Sequence, residues 1–304
     1  MRPAPERRTW PPALRAGDRV AVVLPAGPPS PGLLATGLDV LRSWGLRVDP
    51  VEAGRHPRLP YLAADDAVRA ARLQEAWCDP DVAAVLCGRG GYGTLRVLDL
   101  VDWDAMAAVP PKPFVGSSDV TALHAVLGPR CGVVTLFGAM VATAAITDPA
   151  AQDHLRRALF DPRAALPAAL GARTLVGGRA TGPTVGGTLS LVVSTLGVDA
   201  VPPPPDGAIA LLEDVGEAPY RLDRLLTHLL RARWFDRIAG IALGSWKACG
   251  PPEEVHEVLL DRLAPLGVPT AAGFGFGHCP GQLTVPLGAE VVLDAEAASL
   301  TLAR

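Results

Sequence analysis

Residues 113–127, "PFVGSSDVTALHAVL", begin as an apolar run, stop at Gly116 and two serines, and go on with apolar residues at helical spacing. A strand that breaks at small residues and passes into a helix is half of a βα unit. The same alternation recurs upstream. "DRVAVVLPA" (18–26) is Val-rich and ends in Pro and Gly, as a buried parallel strand does. Leu34, Leu38, Leu41 and Trp44 then recur at helical spacing over 31–44, and "GLRVDPV" (45–51) is a second strand. The charged stretch 64–77 is an amphipathic helix carrying Val68, Leu73 and Trp77, and "DVAAVLCG" (81–88) is a third strand. A short helix over 94–101, a fourth strand over 112–116 and a helix over 119–127 complete the series. The pattern predicts a doubly wound α/β domain around a parallel sheet.

Past residue 145 the pattern changes to one helix and a Pro/Gly/Ala-rich crossing. This predicts an N-terminal domain over 1–160, a linker over 161–178 and a second domain over 179–304. The second domain opens on the Gly-rich "GRATGPTVGGTLSLVVSTLG", followed by a strand at 208–214. A helix over 219–233 then lines up Leu222, Leu225, Leu226, Leu229 and Leu230 on one stripe. "IAGIALGSW", "VPTAAGFGFG" and a terminal hairpin turning at Ala295–Glu296–Ala297 make the remainder mostly β.

The chain has 304 residues, 49% hydrophobic and 19% charged, with a net charge of −3, the balance of a globular protein. Without a Lys/Arg cluster there is no electrostatic reason to expect nucleic acid as a partner. Five scattered cysteines (Cys78, Cys87, Cys131, Cys249, Cys279) contain no C-x-x-C pair, which points to reduced thiols and a cytoplasmic location. "VAVVLPA" is too short and too late for a signal core, and no run of about 18 apolar residues occurs, so no membrane span is expected.

"CGRGGYG" places Gly88, Gly90 and Gly93 in a G-x-G-x-x-G between strand and helix. It is not on the first strand, Arg89 and Tyr92 crowd the place of a pyrophosphate, and no acidic residue ends the next strand. These features weigh against NAD or FAD, and no cofactor is expected. A glycine cluster at a strand end still exposes backbone N–H groups that bind an oxyanion. In "GSSDV" the downstream glycine of a nucleophile elbow is replaced by Val120, so shape alone favours a serine N-cap over a nucleophile. His124 stands six residues on, about 9 Å along a helix and on another side, and reads as a surface or packing residue. His278 lies in a Gly/Pro loop beside Cys279, where functional side chains gather. Glu213 ends an apolar strand, deep enough to orient a histidine, while Asp214 and Glu217 suit the following helix N-terminus. No H-E-x-x-H, Cys/His cluster or Asp-rich loop suggests a metal.

Taken together, "CGRGGYGTLRVLDLVDW", "PKPFVGSSDVTALH", "GGTLSLVVSTLG", "LLEDVGEAPYRLDRLLTHL" and "GHCPGQLTVPLGAEVVLD" resemble, in order and spacing, the LD-carboxypeptidase family and its microcin-immunity relatives. The resemblance implies a flavodoxin-like parallel-sheet domain and a smaller β-rich C-terminal domain, with the active site in the cleft between them. It further implies Ser118 as nucleophile, Glu213 and His278 as its partners, and backbone N–H groups of Gly91 and Asp119 as the oxyanion hole. The implied reaction is release of terminal D-alanine from cytoplasmic murein tetrapeptide, by a homodimer and without a metal. Arg89 and Tyr92 are candidates for substrate binding. Three departures from the family stand out: Ser117 where a bulkier residue is usual, "LPAGPP" in place of Pro-Ser-Ser-Pro, and "GGTLS" in place of Gly-Gly-Asn-Leu. They bear on substrate preference. A microcin-immunity-like hydrolase of peptidyl- or aminoacyl-nucleotide carboxamides, with Trp246 as a loop platform for the base, is one alternative. A non-catalytic small-ligand binder is another.

Overall fold

The computed structural model describes residues 8–52, 54, 56, 58–166 and 173–303. The chain divides into two units, Met1–Ala165 with Pro280–Pro286, and Leu166–Cys279 with Leu287–Arg304.

In the first unit the chain runs β1 (Arg19–Val23), α1 (Pro31–Ser43), β2 (Arg47–Val48), α2 (Asp66–Cys78), β3 (Ala84–Cys87), α3 (Trp103–Ala107), β4 (Phe114–Gly116), α4 (Thr121–Cys131), β5 (Thr135–Phe137) and α5 (Pro149–Phe160). The strands pair in the order β2-β1-β3-β4-β5, all parallel, which is the flavodoxin-like order. Register explains the core. Val22 pairs with Leu86, Leu86 with Val115 and Val115 with Leu136, so one row of side chains crosses four strands. That row is buried against Leu34 and Leu41 of α1 and Leu155 and Leu159 of α5. Each such side chain contributes about 1.5–3 kcal/mol by leaving water.

Three details differ from the sequence expectation. Residues 94–100 form a 3-10 helix, and the helix expected from 119 opens as a 3-10 turn, Ser118–Val120, before α4. On α2 the buried face runs Arg69, Leu73, Trp77, whereas Val68 is exposed. An apolar residue next to an arginine is the natural choice for a stripe, yet the i, i+4, i+8 spacing selects the arginine.

The second unit comprises β6 (Arg173–Val176), β7 (Arg179–Thr188), α6 (Leu189–Ser194), β8 (Ala208–Val215), α7 (Pro219–Arg231), β9 (Ile238–Lys247), α8 (Pro252–Leu263) and β10 (Thr270–Ala272). After a short strand β11 (Val285–Leu287), which extends the first unit's sheet beyond β5, come β12 (Glu290–Asp294) and β13 (Ser299–Leu302). The seven strands order as β13-β12-β7-β8-β9-β10-β6. A parallel centre, β7-β8-β9-β10, is flanked by the antiparallel hairpin β12–β13 on one side and by β6 on the other. Leu222, Leu226 and Leu229 of α7 and Val255 and Leu259 of α8 pack on Ala208, Ala210 and Leu212 of β8. Within the segment read as a linker, 161–178, residues 162–165 make a 3-10 turn and 173–176 are β6, while 167–172 lie outside the described residues. The Gly-rich opening of this unit is the ten-residue strand β7, whose glycines and proline hide it from any propensity argument.

Candidate active site

In a sheet of order 2-1-3-4-5, ligands gather at the carboxyl ends of the strands where the winding reverses, between β1 and β3. The loops that follow β1, β3 and β4 meet there. The Gly27 N–H donates to the Gly90 carbonyl at 3.0 Å. Ser118 sits at φ 58°, one of four described non-glycine residues with positive φ. This is the tight, left-handed geometry of a residue thrust out between strand and helix. The rival cap reading has no support in the hydrogen bonds, because Ser117 occupies the N-cap without a side-chain cap bond and is buried. A Cβ added at Gly90 would lie 3.2 Å from both Ser118 Oγ and the Asp119 amide nitrogen, so the glycine loop backbone rests directly on the Ser118 turn.

Two neighbours stiffen that turn. The Asp119 carboxylate accepts from the Thr94 N–H at 2.8 Å and from the Gly93 N–H, linking the turn to the glycine loop. Burial raises the Asp119 pKa, against the opposing effect of those N–H groups and of Arg69. His124 is buried between Phe114 and Phe137, as a packing residue and not a surface one. Its Nε2–H donates to the Gly116 carbonyl at 3.0 Å and its Nδ1 accepts from the Thr135 hydroxyl at 2.8 Å. Burial holds its pKa down at about 4, so it stays neutral and fixes the strand end two residues before Ser118.

In the second unit, Glu213 is fully buried on β8. A carboxylate out of water must be met by donors. Here Oε1 accepts from the Thr188 hydroxyl at 2.5 Å, and Oε2 accepts from the His278 backbone N–H at 3.1 Å and its Nδ1–H at 2.9 Å. The carboxylate therefore sets the tautomer and leaves Nε2 as the free basic nitrogen. Burial opposes the imidazolium of His278, but the hydrogen bond and charge of Glu213, joined by Asp214, outweigh it and hold the pKa above its ordinary value. Gly277 has φ 96°, and a Cβ there would stand 2.4 Å from Glu213 Oε2. Only glycine permits the carboxylate to reach the histidine.

The family pattern of the LD-carboxypeptidase N-terminal domain matches residues 20–138, and that of the C-terminal domain matches residues 181–293. The chain belongs to the LD-carboxypeptidase family. The murein tetrapeptide carboxypeptidase of Pseudomonas aeruginosa is 31% identical over 94% of this chain and 95% of its own length. A Streptomyces coelicolor protein that carries a carboxypeptidase name is 52% identical over 97% of this chain and 96% of its own. Among solved structures, the muramoyltetrapeptide carboxypeptidase of Oxalobacter formigenes superposes with a TM-score of 0.80 at 26% identity, covering 93% of this chain and 97% of that one. The Microcin C7 self-immunity protein MccF in complex with aspartyl sulfamoyl adenosine shares the fold, with a TM-score of 0.83 at 22% identity over 97% of this chain and 98% of that one.

Arg89 is exposed, and its Nη1 donates to the Pro28 carbonyl, which orients the guanidinium. Tyr92 is 48% exposed and meets Tyr61 edge-to-face with centroids 5.7 Å apart. Trp246, expected on a loop, lies on β9 in register with Asp214 and is half-buried. All five cysteines are free thiols, and no group of three metal-ligating side chains occurs among the described residues. No helix of the described residues is long and apolar enough to cross a membrane.

Sequence reasoning missed three residues. Thr188 ends a strand that was itself hidden. Asp214 is buried, as is every residue of β8 before it, and accepts from Ser190 of α6 while Glu213 meets Thr188. Burial lifts the Asp214 pKa to about 6, although it accepts from the Val215 and Ser190 N–H groups. Arg69 is the third.

Proposed function

We propose that this chain is a serine LD-carboxypeptidase that releases the terminal D-alanine of murein tetrapeptide. The observation that carries the reading is the left-handed Ser118, packed on the glycine loop with the Asp119 amide beside it. The Glu213–His278 hydrogen bond supplies the base that such a serine needs.

In the proposed mechanism, His278 Nε2 takes the Ser118 hydroxyl proton as Oγ attacks the L-to-D amide carbonyl. Glu213 holds Nδ1–H and stabilises the imidazolium that forms. The N–H groups of Gly91 and Asp119 receive the tetrahedral oxyanion, each worth about 3 kcal/mol when the donor is well aimed. His278 then gives its proton to the departing amine of D-alanine, leaving an ester on Ser118. Water, deprotonated by the same imidazole, cleaves that ester and frees the tripeptide. Arg89 binds a substrate carboxylate through its remaining N–H groups, and Tyr92 walls the site. Free cysteines agree with a reducing, cytoplasmic setting, where the protein acts as a homodimer.

The test is D-alanine release from murein tetrapeptide, with Ser118→Ala as control. Release by the parent protein and at least a 10³-fold loss in a folded Ser118→Ala variant are expected. Release that survives the substitution moves the nucleophile elsewhere. Cleavage of an aminoacyl-sulfamoyl adenosine in place of the tetrapeptide assigns the chemistry to the immunity-like substrate class.

A further inference from the structure

We infer that Arg69 is a positioning residue for the oxyanion-binding loop, an inference that rests on the serine-hydrolase reading above. Arg69 projects from the buried face of α2 and is 2% exposed. Its Nε donates to the Ala64 carbonyl at 3.2 Å, and Nη1 donates to the Gly93 carbonyl at 2.9 Å and to the Pro25 carbonyl. Nη2 meets Asp66, which Arg96 holds from the other side at 2.7 Å. One guanidinium thus ties together the loop after β1, the loop before α2 and the loop after β3.

The attachment at Gly93 is two-sided. Arg69 holds its carbonyl while the Asp119 carboxylate holds its N–H, and Asp119 is the residue that follows Ser118. Gly93 stands at φ 128°, and a Cβ there would fall 2.7 Å from Leu62 and 2.8 Å from Arg69 Nη1. The peptide is therefore pinned in one orientation, two residues after Gly91. Three carbonyls in different directions need the rigid, five-donor fork of arginine, and the single-point ammonium of lysine cannot reach them together. Oxyanion donors act through pre-organisation, so loosening this clasp lowers the rate of the chemical step more than it weakens substrate binding.

The experiment compares the parent, Arg69→Lys, Arg69→Ala and the half-buried same-helix control Arg72→Ala. It measures kcat and KM for the tetrapeptide, and amide hydrogen exchange over residues 88–94 by mass spectrometry. In Arg69→Lys, kcat is expected to fall about 10- to 100-fold with KM moved less than about threefold, short of the 10²–10³ for losing an oxyanion donor outright. Exchange over 88–94 rises, guanidinium ion restores part of kcat to Arg69→Ala, and Arg72→Ala matches the parent. A folded Arg69→Lys with parental kcat per folded molecule, or with parental exchange over 88–94, overturns the role. A parent that releases no D-alanine defeats the proposed substrate instead, and the exchange data still decide whether Arg69 holds the loop.

Discussion

At Ser118 the backbone adopts a conformation that a serine reaches only at a cost, about 1–3 kcal/mol for a side-chain-bearing residue in the left-handed region. Ser118→Gly should therefore raise stability by about 1 kcal/mol in urea unfolding while abolishing hydrolysis, whereas Ser118→Ala abolishes hydrolysis with stability within about 0.5 kcal/mol. His278 gives the pH dependence its sign. Its folded pKa is raised above the unfolded value, so the ion pair with Glu213 is fully present below about pH 6.5 and its stabilisation is lost as pH rises through the folded pKa. As the proposed base, His278 works only when neutral, so activity is expected to rise over the interval in which that stabilisation fades. Glu213→Gln removes the charge and should shift the acid limb of the kcat/KM profile to lower pH while lowering kcat about 10²- to 10⁴-fold. An acid limb that stays in place would assign the titration to another group.

The elements that carry these residues are irregular at the points where the proposed site residues sit. β8 is an ordinary buried strand until its register shifts between Leu212 and Asp214, and the two carboxylates that follow are both buried. The loop after β10 reaches Glu213 only through Gly277. Gly277→Ala should cost about 1–3 kcal/mol and lower kcat with little change in KM, since it drives the carboxylate away from His278. A variant with parental kcat would show that the carboxylate is dispensable. Away from the site the rules of packing are ordinary. Leu226 of α7 is fully buried, and Leu226→Ala should cost about 2–5 kcal/mol in urea unfolding with catalytic constants of the folded fraction unchanged.

At the scale of the molecule, the first unit is discontinuous in sequence and takes residues 280–286 from late in the chain. Asp148 caps α5 with one carboxylate oxygen and accepts the Gly281 N–H at 2.7 Å with the other, while His154 Nδ1 accepts the Thr284 N–H at 3.0 Å. The N–H groups of Gly281, Ala151 and Ala150 hold the Asp148 pKa below its usual range, so its contribution is present above about pH 3.9 and is lost as pH falls through the lowered value. Asp148→Ala should lower the urea midpoint at neutral pH, and the difference from the parent should vanish in acid. The alternation of apolar runs and helical stripes was enough to order β1 to β4 and their helices, because parallel strands buried on both faces must be continuous hydrophobic segments. Ser118, Glu213 and His278 stood out as candidates through the blocks around them, each at a strand end or in a Gly/Pro loop. What the sequence could not show depends on contacts between residues far apart along it. The late segment's place beside β5, the glycine-rich β7, the burial of Asp214 and the inward turn of Arg69 are of this kind. Local propensity speaks for a residue's own backbone, whereas these features exist because a distant carbonyl, carboxylate or strand edge requires a partner in the folded chain.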